Sequence, residues 1–297
     1  RGGAGDDYID GNGGYDRAEY VDAIGSVTID LGAGTVDGTA AGLGTDTLRG
    51  IEEIFGGNFD DIFDASGFTV KTADTPSVNA GDTANVNSFH GGGGDDVIIG
   101  NGQTRIDYIL ATHGVTVDLT NRDVDANTGR VYGGDGVGTD TFSGVNRIRG
   151  SMFDDVLLGG QQEYGAAGAA EFFNGMAGDD FIFGGSGFDY AQYGIAAFFL
   201  DGVVASAANT AQSDYWGQTF GIIVNMADGT VYGDARSFGT DTLREVEGVV
   251  GSVRADLYDA TGFGLSSDNK ISQGLLINEF EGGAGDDIII GNGNTRV

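Results

Sequence analysis

The chain contains no cysteine and a single proline in 297 residues. Without cysteine there is neither a disulfide framework nor a thiolate metal site, and the redox compartment is left open. Cations are also scarce, with 14 Lys plus Arg against 45 Asp plus Glu and a formal net charge of -31. Such a field repels nucleic acid and anionic membranes and attracts cations. An acidic, soluble surface would give the same total, so the placement of the acids has to decide between the two. Long apolar runs are missing as well. The longest notable one, residues 195–200, falls far short of the roughly 18 residues a membrane helix needs. Neither a nucleic-acid partner nor membrane insertion is therefore expected. There is no initiator methionine and no signal peptide, and the chain reads as a mature fragment or a section of something longer.

Glycine is abundant, at 57 residues, and 40% of the chain is hydrophobic. Glycine at this level accompanies disorder when it comes with proline and without regular spacing. Here the spacing is regular. One motif recurs four times: GGAGDDYIDGNG from Gly2, GGGGDDVIIGNG from Gly91, GMAGDDFIFGGSG from Gly175 and GGAGDDIIIGNG from Gly282. A second recurs three times: GLGTDTLRGIEEIFGGNFDDIFD from Gly42, GVGTDTFSGVNRIRGSMFDDVLL from Gly136 and SFGTDTLREVEGVVGSVRADLYD from Ser237. Strand-like segments precede the second motif: VTIDL from Val27, VTVDL from Val115 and IIVNM from Ile222. The expected modules are residues 1–90, 91–174 and 175–281, with a fourth started at 282–297. Asp46 to Asp61, Asp140 to Asp155 and Asp241 to Asp256 are each 15 apart, whereas Asp7 to Asp46, Asp96 to Asp140 and Asp180 to Asp241 are 39, 44 and 61 apart. Length varies where loops are and holds where coils must stay in register. The third module carries a long insertion, residues 191–218, with the only tryptophan, Trp216.

A physical reading follows from the nonapeptides that start at Gly2 and Gly11. Each has a glycine-rich first half, an aspartate at its sixth place (Asp7, Asp16) and an inward residue at its eighth (Ile9 and, more weakly, Ala18). Glycine turns without a Cβ clash, and a short strand with alternating faces follows. Two nonapeptides close a coil with two strands, and stacked coils should pair each strand in parallel with its counterparts. The Val, Ile, Leu and Phe residues are then core rungs. Calcium takes about 6–8 oxygen ligands, which glycine carbonyls and the sixth-place aspartate can supply. Without an ion, stacked aspartates repel one another.

These residues resemble the glycine-rich nonapeptide of RTX (repeats-in-toxin) proteins, GGxGxDxUx with U apolar, a calcium-binding β-helix signature. The longer VTVDL…GTDTL…GSxxxDxL arrangement is similar to extended modules of large secreted RTX-type surface proteins. The resemblance implies an all-β, right-handed parallel β-roll with several calcium ions in its turns, type I export and folding after export. Carried over, the sixth-place ligands are Asp7, Asp16, Asp96, Asp180, Asp189 and Asp287. Asp46, Asp61, Asp140, Asp155, Asp241 and Asp256 keep the aspartate but lose glycines. For every one of these, an Asx-turn or capped loop is the alternative role. The fifth-place acids Asp6, Asp95, Asp179 and Asp286 read as outward, solvated groups. Arg105 and Arg296 stand where the second nonapeptide should place aspartate, and a guanidinium there is expected to pair with neighbouring acids.

No HExxH, GxSxG or Ser-His-Asp arrangement is present, and His90 and His113 lie in different sequence contexts. The paired acids repeat as structure repeats, whereas a catalytic pair would be singular, so no enzymatic activity is expected of this chain. Two functional classes remain. One is the calcium-binding structural region of a bacterial extracellular or surface protein (adhesin, surface layer or filament), in contact with a cell surface or polysaccharide. The other is the calcium-dependent secretion and folding segment of an exported enzyme or toxin. Irregular modules running end to end favour the first. The chain opens in a GGAGDD turn and stops inside a fresh repeat, with no segment that looks like a cap. Solenoid ends expose unpaired strand edges, so self-association along the solenoid axis, or further modules in a longer parent, is expected.

Overall fold

The computed structural model describes residues 1–70, 79, 81, 86–120, 128–132, 136–160, 170–194, 220–234, 237–271 and 277–297. The fold is an all-β roll built of short strands. Most strands are three residues long, with a buried centre and more open flanks, as in Thr28–Asp30 and Ile223–Asn225. An alternation of one apolar residue between two polar ones can bury only its middle side chain, so each pass contributes one rung to the core. The chain forms two compact units, residues 1–112 with 121–148, and residues 113–120 with 149–297.

In the first unit, one wall runs in the order Tyr8–Asp10, Gly44–Arg49, Thr35–Gly38, Thr28–Asp30, Ile62–Asp64 and the first half of Val97–Asp107. The facing wall runs Arg17–Glu19, Glu53–Phe55, Asn87–His90 and the second half of Val97–Asp107. Leu48, Val36, Ile29, Phe63 and Ile98 point inward from the first wall, and Ala18, Ile54, Phe89 and Ile106 from the second, all buried. Phe63 and Phe89 stack across the core with centroids 4.7 Å apart.

The second unit repeats the plan. Its first wall is Thr116–Asp118, Val156–Leu158, Phe181–Phe183, Thr240–Arg244, Thr230–Tyr232, Ile223–Asn225, Leu257–Asp259 and Ile288–Ile290. Its second is Phe172–Asn174, Tyr190–Gln192, Gly248–Val250, Asn278–Glu281 and Thr295–Arg296. Tyr258 and Phe280 make the matching stack at 4.7 Å.

The strand-like segments VTIDL, VTVDL and IIVNM are strands, but the expectation of wholly parallel pairing needs correction. Thr35–Gly38 and Thr230–Tyr232 run antiparallel to both neighbours. The cause is the turn after each strand-like segment. Gly34 and Gly229 take φ of 69° and 63°, the left-handed region open to glycine. The Asp30 carboxylate accepts the Ala33 N–H at 2.8 Å, and Asn225 the Asp228 N–H at 3.2 Å. The chain therefore folds back as a hairpin before it resumes the coil.

Two buried asparagines close the interior where the regular repeat lapses. Asn79 donates to the Leu31 and Ile51 carbonyls (3.0 and 2.8 Å) and accepts the Ile51 N–H (2.8 Å). Asn269 does the same for the Val246 N–H and carbonyl (3.0 and 2.9 Å). Most of the third module's insertion, with Trp216, lies outside the described residues. Among the described residues no helix is long and apolar enough to cross a membrane.

Candidate calcium-binding turns

Each strand of the first wall that follows a turn of the GGxGxD or GTD type is entered through an aspartate, and these aspartates stack. Oδ1 of each accepts the N–H of its counterpart in the neighbouring coil: Asp7 to Asp46 (3.0 Å), Asp61 to Asp96 (2.7 Å), Asp96 to Asp140 (3.0 Å), Asp155 to Asp180 (2.8 Å), Asp180 to Asp241 (3.1 Å) and Asp256 to Asp287 (2.9 Å). The N–H groups of Val27, Val115 and Ile222 begin three of the runs by donating to Asp61, Asp155 and Asp256. Ten of the twelve aspartates singled out from the sequence thus line the turn edge of a first wall, five in each unit. Asp16 and Asp189 stand on the other edge.

The fifth-place acids are exposed, as expected, but they are more than solvated groups. Asp6 accepts the Thr45 N–H, Asp60 the Asp95 N–H, Asp95 the Thr139 N–H, Asp154 the Asp179 N–H and Asp179 the Thr240 N–H, all at 2.8–2.9 Å. These bonds run opposite in sense to the sixth-place series. A DD pair therefore clamps its coil to its neighbours in both directions, which explains why the two acids occur together.

The second carboxylate oxygen divides the set. Oδ2 of Asp7, Asp46, Asp96, Asp180 and Asp189 is buried and has no partner among the described residues. In Asp61, Gly57 N–H fills that place (2.8 Å); in Asp155 and Asp256 the N–H groups of Ser151 and Ser252 do so (2.6 and 2.7 Å). In Asp140 and Asp241 the Tyr108 and Tyr193 hydroxyls donate to it at 2.9 and 2.7 Å. The Tyr20 hydroxyl stands near the Asp46 carboxylate, but it makes no hydrogen bond to Asp46 Oδ2. These tyrosines, each closing a strand of the second wall or directly following it (RAEY, RIDY, YAQY), were not singled out from the sequence. Their repetition at one place per long module is the signal that could have found them.

The second edge is mixed. Register places Asp16, Glu52, Asn87 and Thr104 in one row of the first unit, and Glu171, Asp189, Glu247, Asn278 and Thr295 in one row of the second. Asp16 N–H donates to Glu52 (2.9 Å), Glu171 N–H to Asp189 (3.0 Å) and Asp189 N–H to Glu247 (3.1 Å). Glu52, Glu171 and Glu247 were also missed; the signal for Glu52 and Glu247 is an acid six residues after the GTD aspartate. The sixth-place assignment of Arg105 and Arg296 is corrected here. Counting back from the buried Ile106, Thr104 occupies the row, because the turn is one residue shorter than in the first module. Thr104 Oγ donates to Asn87 Oδ1 (2.9 Å). Arg105, one place on, pairs with Glu53 (3.1 Å) and Asp107 (3.5 Å), and Arg296 with Glu279 (3.8 Å).

Electrostatics mark the stacked aspartates as uncompensated. Burial first, then the Asp140 carboxylate, pushes Asp96 up to about 9. Burial raises Asp140 to about 7 and Asp155 to about 6. Asp180 and Asp241 are also raised by burial, and Asp180 further by Asp241. Asp189 is raised by burial, then by Glu171 and Glu247. A buried carboxylate oxygen without a donor is costly unless a cation meets it. Glycine makes room for this arrangement, since a Cβ on Gly91 or Gly175 would coincide with Oδ2 of Asp96 or Asp180. The residues present thus suit a hard cation that takes oxygen ligands.

Glycine-turned coils with an aspartate entering the strands of the first wall define a β-roll of repeat units. Residues 1–18, 83–104, 167–191 and 275–295 match the family model described as the RTX calcium-binding nonapeptide repeat, in four copies. The chain thus carries four RTX calcium-binding nonapeptide repeats. No curated protein matches it.

Proposed function

We propose that this chain is the structural repeat region of an extracellular bacterial surface protein, locked into its fold by calcium, and that it performs no catalysis. The observation that carries the reading is the set of buried, unpartnered Oδ2 atoms of Asp7, Asp46, Asp96, Asp180 and Asp189, one at a regular nonapeptide of each of the first three modules, one at the GTD turn beside Asp7 and one more on the second edge. In this reading those five hold ions, joined by Asp16 and Asp287 at equivalent sequence places. Asp61, Asp140, Asp155, Asp241 and Asp256 use protein donors instead and act as structural links. RTX repeats are typical of secreted bacterial proteins, where calcium is plentiful. An ion that binds only the folded state stabilises it by linkage.

Irregular modules with hairpins and insertions favour a surface or filament role over a compact secretion segment. Among the described residues Tyr8–Asp10 and Ile288–Ile290 each have a single strand neighbour, and through such edges a further module or a second copy would pair. Far-ultraviolet circular dichroism in chelator and then in calcium tests the fold, and electron microscopy of the calcium-loaded protein tests the assembly. Native strand signal persisting in chelator would sink the calcium reading. Dispersed monomers at high concentration would sink self-stacking.

A further inference from the structure

We propose that Glu53, His90 and Asp107 form a site for one transition-type divalent ion, zinc by preference, separate from the calcium turns. The three residues lie on successive coils of the second wall of the first unit, on the face turned away from Ile54, Phe89 and Ile106. His90 and Asp107 are nevertheless buried, each 3% exposed. Among the described residues the cluster is singular: the register partners of His90 in the neighbouring coils are Phe55 and Asp107, and the equivalent rungs of the second unit carry no histidine. A repeat protein needs no singular polar cluster for its fold.

Three ligand atoms converge there. His90 Nε2 lies 3.1 Å from Glu53 Oε1 and 3.3 Å from Asp107 Oδ2, and the cluster's ligand atoms all lie within 4.8 Å of one another. Zinc bonds of roughly 2.0–2.2 Å to nitrogen and oxygen, set tetrahedrally, put neighbouring ligand atoms about 3.3 Å apart. Phe55 stacks on the imidazole with centroids 3.6 Å apart and fixes its plane. Arg105 bridges Glu53 (3.1 Å) and Asp107 (3.5 Å). It cancels one of the two carboxylate charges, so the ligand set stays net negative and both carboxylates are held toward His90. A cavity of about 310 Å³, lined by His90, Asp107, Phe55, Tyr108, Leu110 and Val137, reaches the cluster. It provides an entry path and room for a water ligand in an open fourth position. An imidazole nitrogen in the set discriminates against calcium, which takes 6–8 oxygens, and favours zinc and its neighbours.

The test uses the full chain in excess calcium, titrated with zinc by calorimetry and with cobalt(II) by visible absorption, which separates tetrahedral from octahedral coordination. The expected result is one ion per chain with a tetrahedral or five-coordinate cobalt spectrum. His90→Gln and Asp107→Asn should each weaken binding by roughly 100-fold or more, beyond what loss of an outer-shell partner causes. His113→Gln, at the only other histidine, should leave binding unchanged. Circular dichroism in calcium reports folding of each variant, and Asp107→Asn carries the test if His90→Gln does not fold. The proposal is overturned if wild type takes up no zinc in excess calcium, or if wild type and the folded variants bind alike. Either result would make the cluster a closed ion-pair network around Arg105.

Discussion

Removing calcium should make folding depend on acid in an unusual direction. In the ion-free chain Asp96 is held at about 9 by burial and by Asp140, against an ordinary value of 3.8. For an acid whose folded value is raised, ionisation opposes folding. The penalty is absent below the unfolded value, grows as pH rises above it, and levels off only past the folded value. At pH 7 about three units of that gap are in force, on the order of 4 kcal/mol at about 1.4 kcal/mol per unit. That is comparable with the whole stability of a typical domain, about 5–15 kcal/mol, and Asp140, Asp180, Asp189 and Asp241 are shifted in the same direction. The chelated chain should therefore be unfolded at neutral pH and gain strand signal on acidification toward about pH 4. Asp96→Asn keeps an oxygen for the Asp61 N–H but carries no charge. It should move the folding midpoint in chelator to higher pH, and at neutral pH raise the calcium concentration needed to fold. Circular dichroism across pH, with sedimentation to exclude aggregates, measures both. A chelated wild type already folded at pH 7, or an Asp96→Asn midpoint displaced to lower pH, would refute the reasoning.

Other expectations separate ion-binding groups from structural ones. Gly91→Ala and Gly175→Ala place a methyl where Oδ2 of Asp96 or Asp180 lies, so each should raise the calcium midpoint in a titration followed by circular dichroism. Tyr108→Phe leaves the buried Asp140 oxygen without its donor and should cost about 1–3 kcal/mol in urea unfolding while the number of calcium ions bound stays the same. Asn79→Ala abandons three buried backbone groups and should cost roughly 3 kcal/mol or more in calcium-loaded protein. A loss within 0.5 kcal/mol at Asn79 would mean that water replaces the amide.

What could be read in the sequence was what repeats with a fixed period. The sixth-place aspartates, the glycines before them and the inward residue two places after are set by the pitch of one coil, and the structure places them in rows. The fifth-place acids were visible too, but a hydrogen bond between coils leaves no trace in a linear pattern, so Asp6, Asp95 and Asp179 read as solvent-facing. The reversed strand Thr35–Gly38 was hidden because parallel and antiparallel three-residue strands carry the same alternation. Only the turn at residues 31–34, with its left-handed glycine, distinguishes them. The Arg105 row was misread because counting from the glycines assumes a constant turn length. Counting back from the buried Ile106 gives Thr104, since the core tolerates no slip and the turn does.

Asn79 and Asn269 show the limit from the other side. Each comes from an irregular stretch, around PSVNAG and SSDNKI, with no spacing in common with the nonapeptides. Yet each fills the same office, an amide closing a backbone N–H and a carbonyl on the first residue after an Arg-Gly or Arg-Glu turn, Ile51 and Val246. A single side chain with two donors and an acceptor can replace a strand's worth of ladder at one point, so the amide closes the coil without any regular pattern around it. The same logic separates the two kinds of aspartate in this chain. On the reading proposed above, a turn whose Oδ2 is met by a tyrosine hydroxyl or by a serine or glycine N–H needs no ion, and the ion-dependent stability of the roll resides in the turns whose Oδ2 has no protein donor.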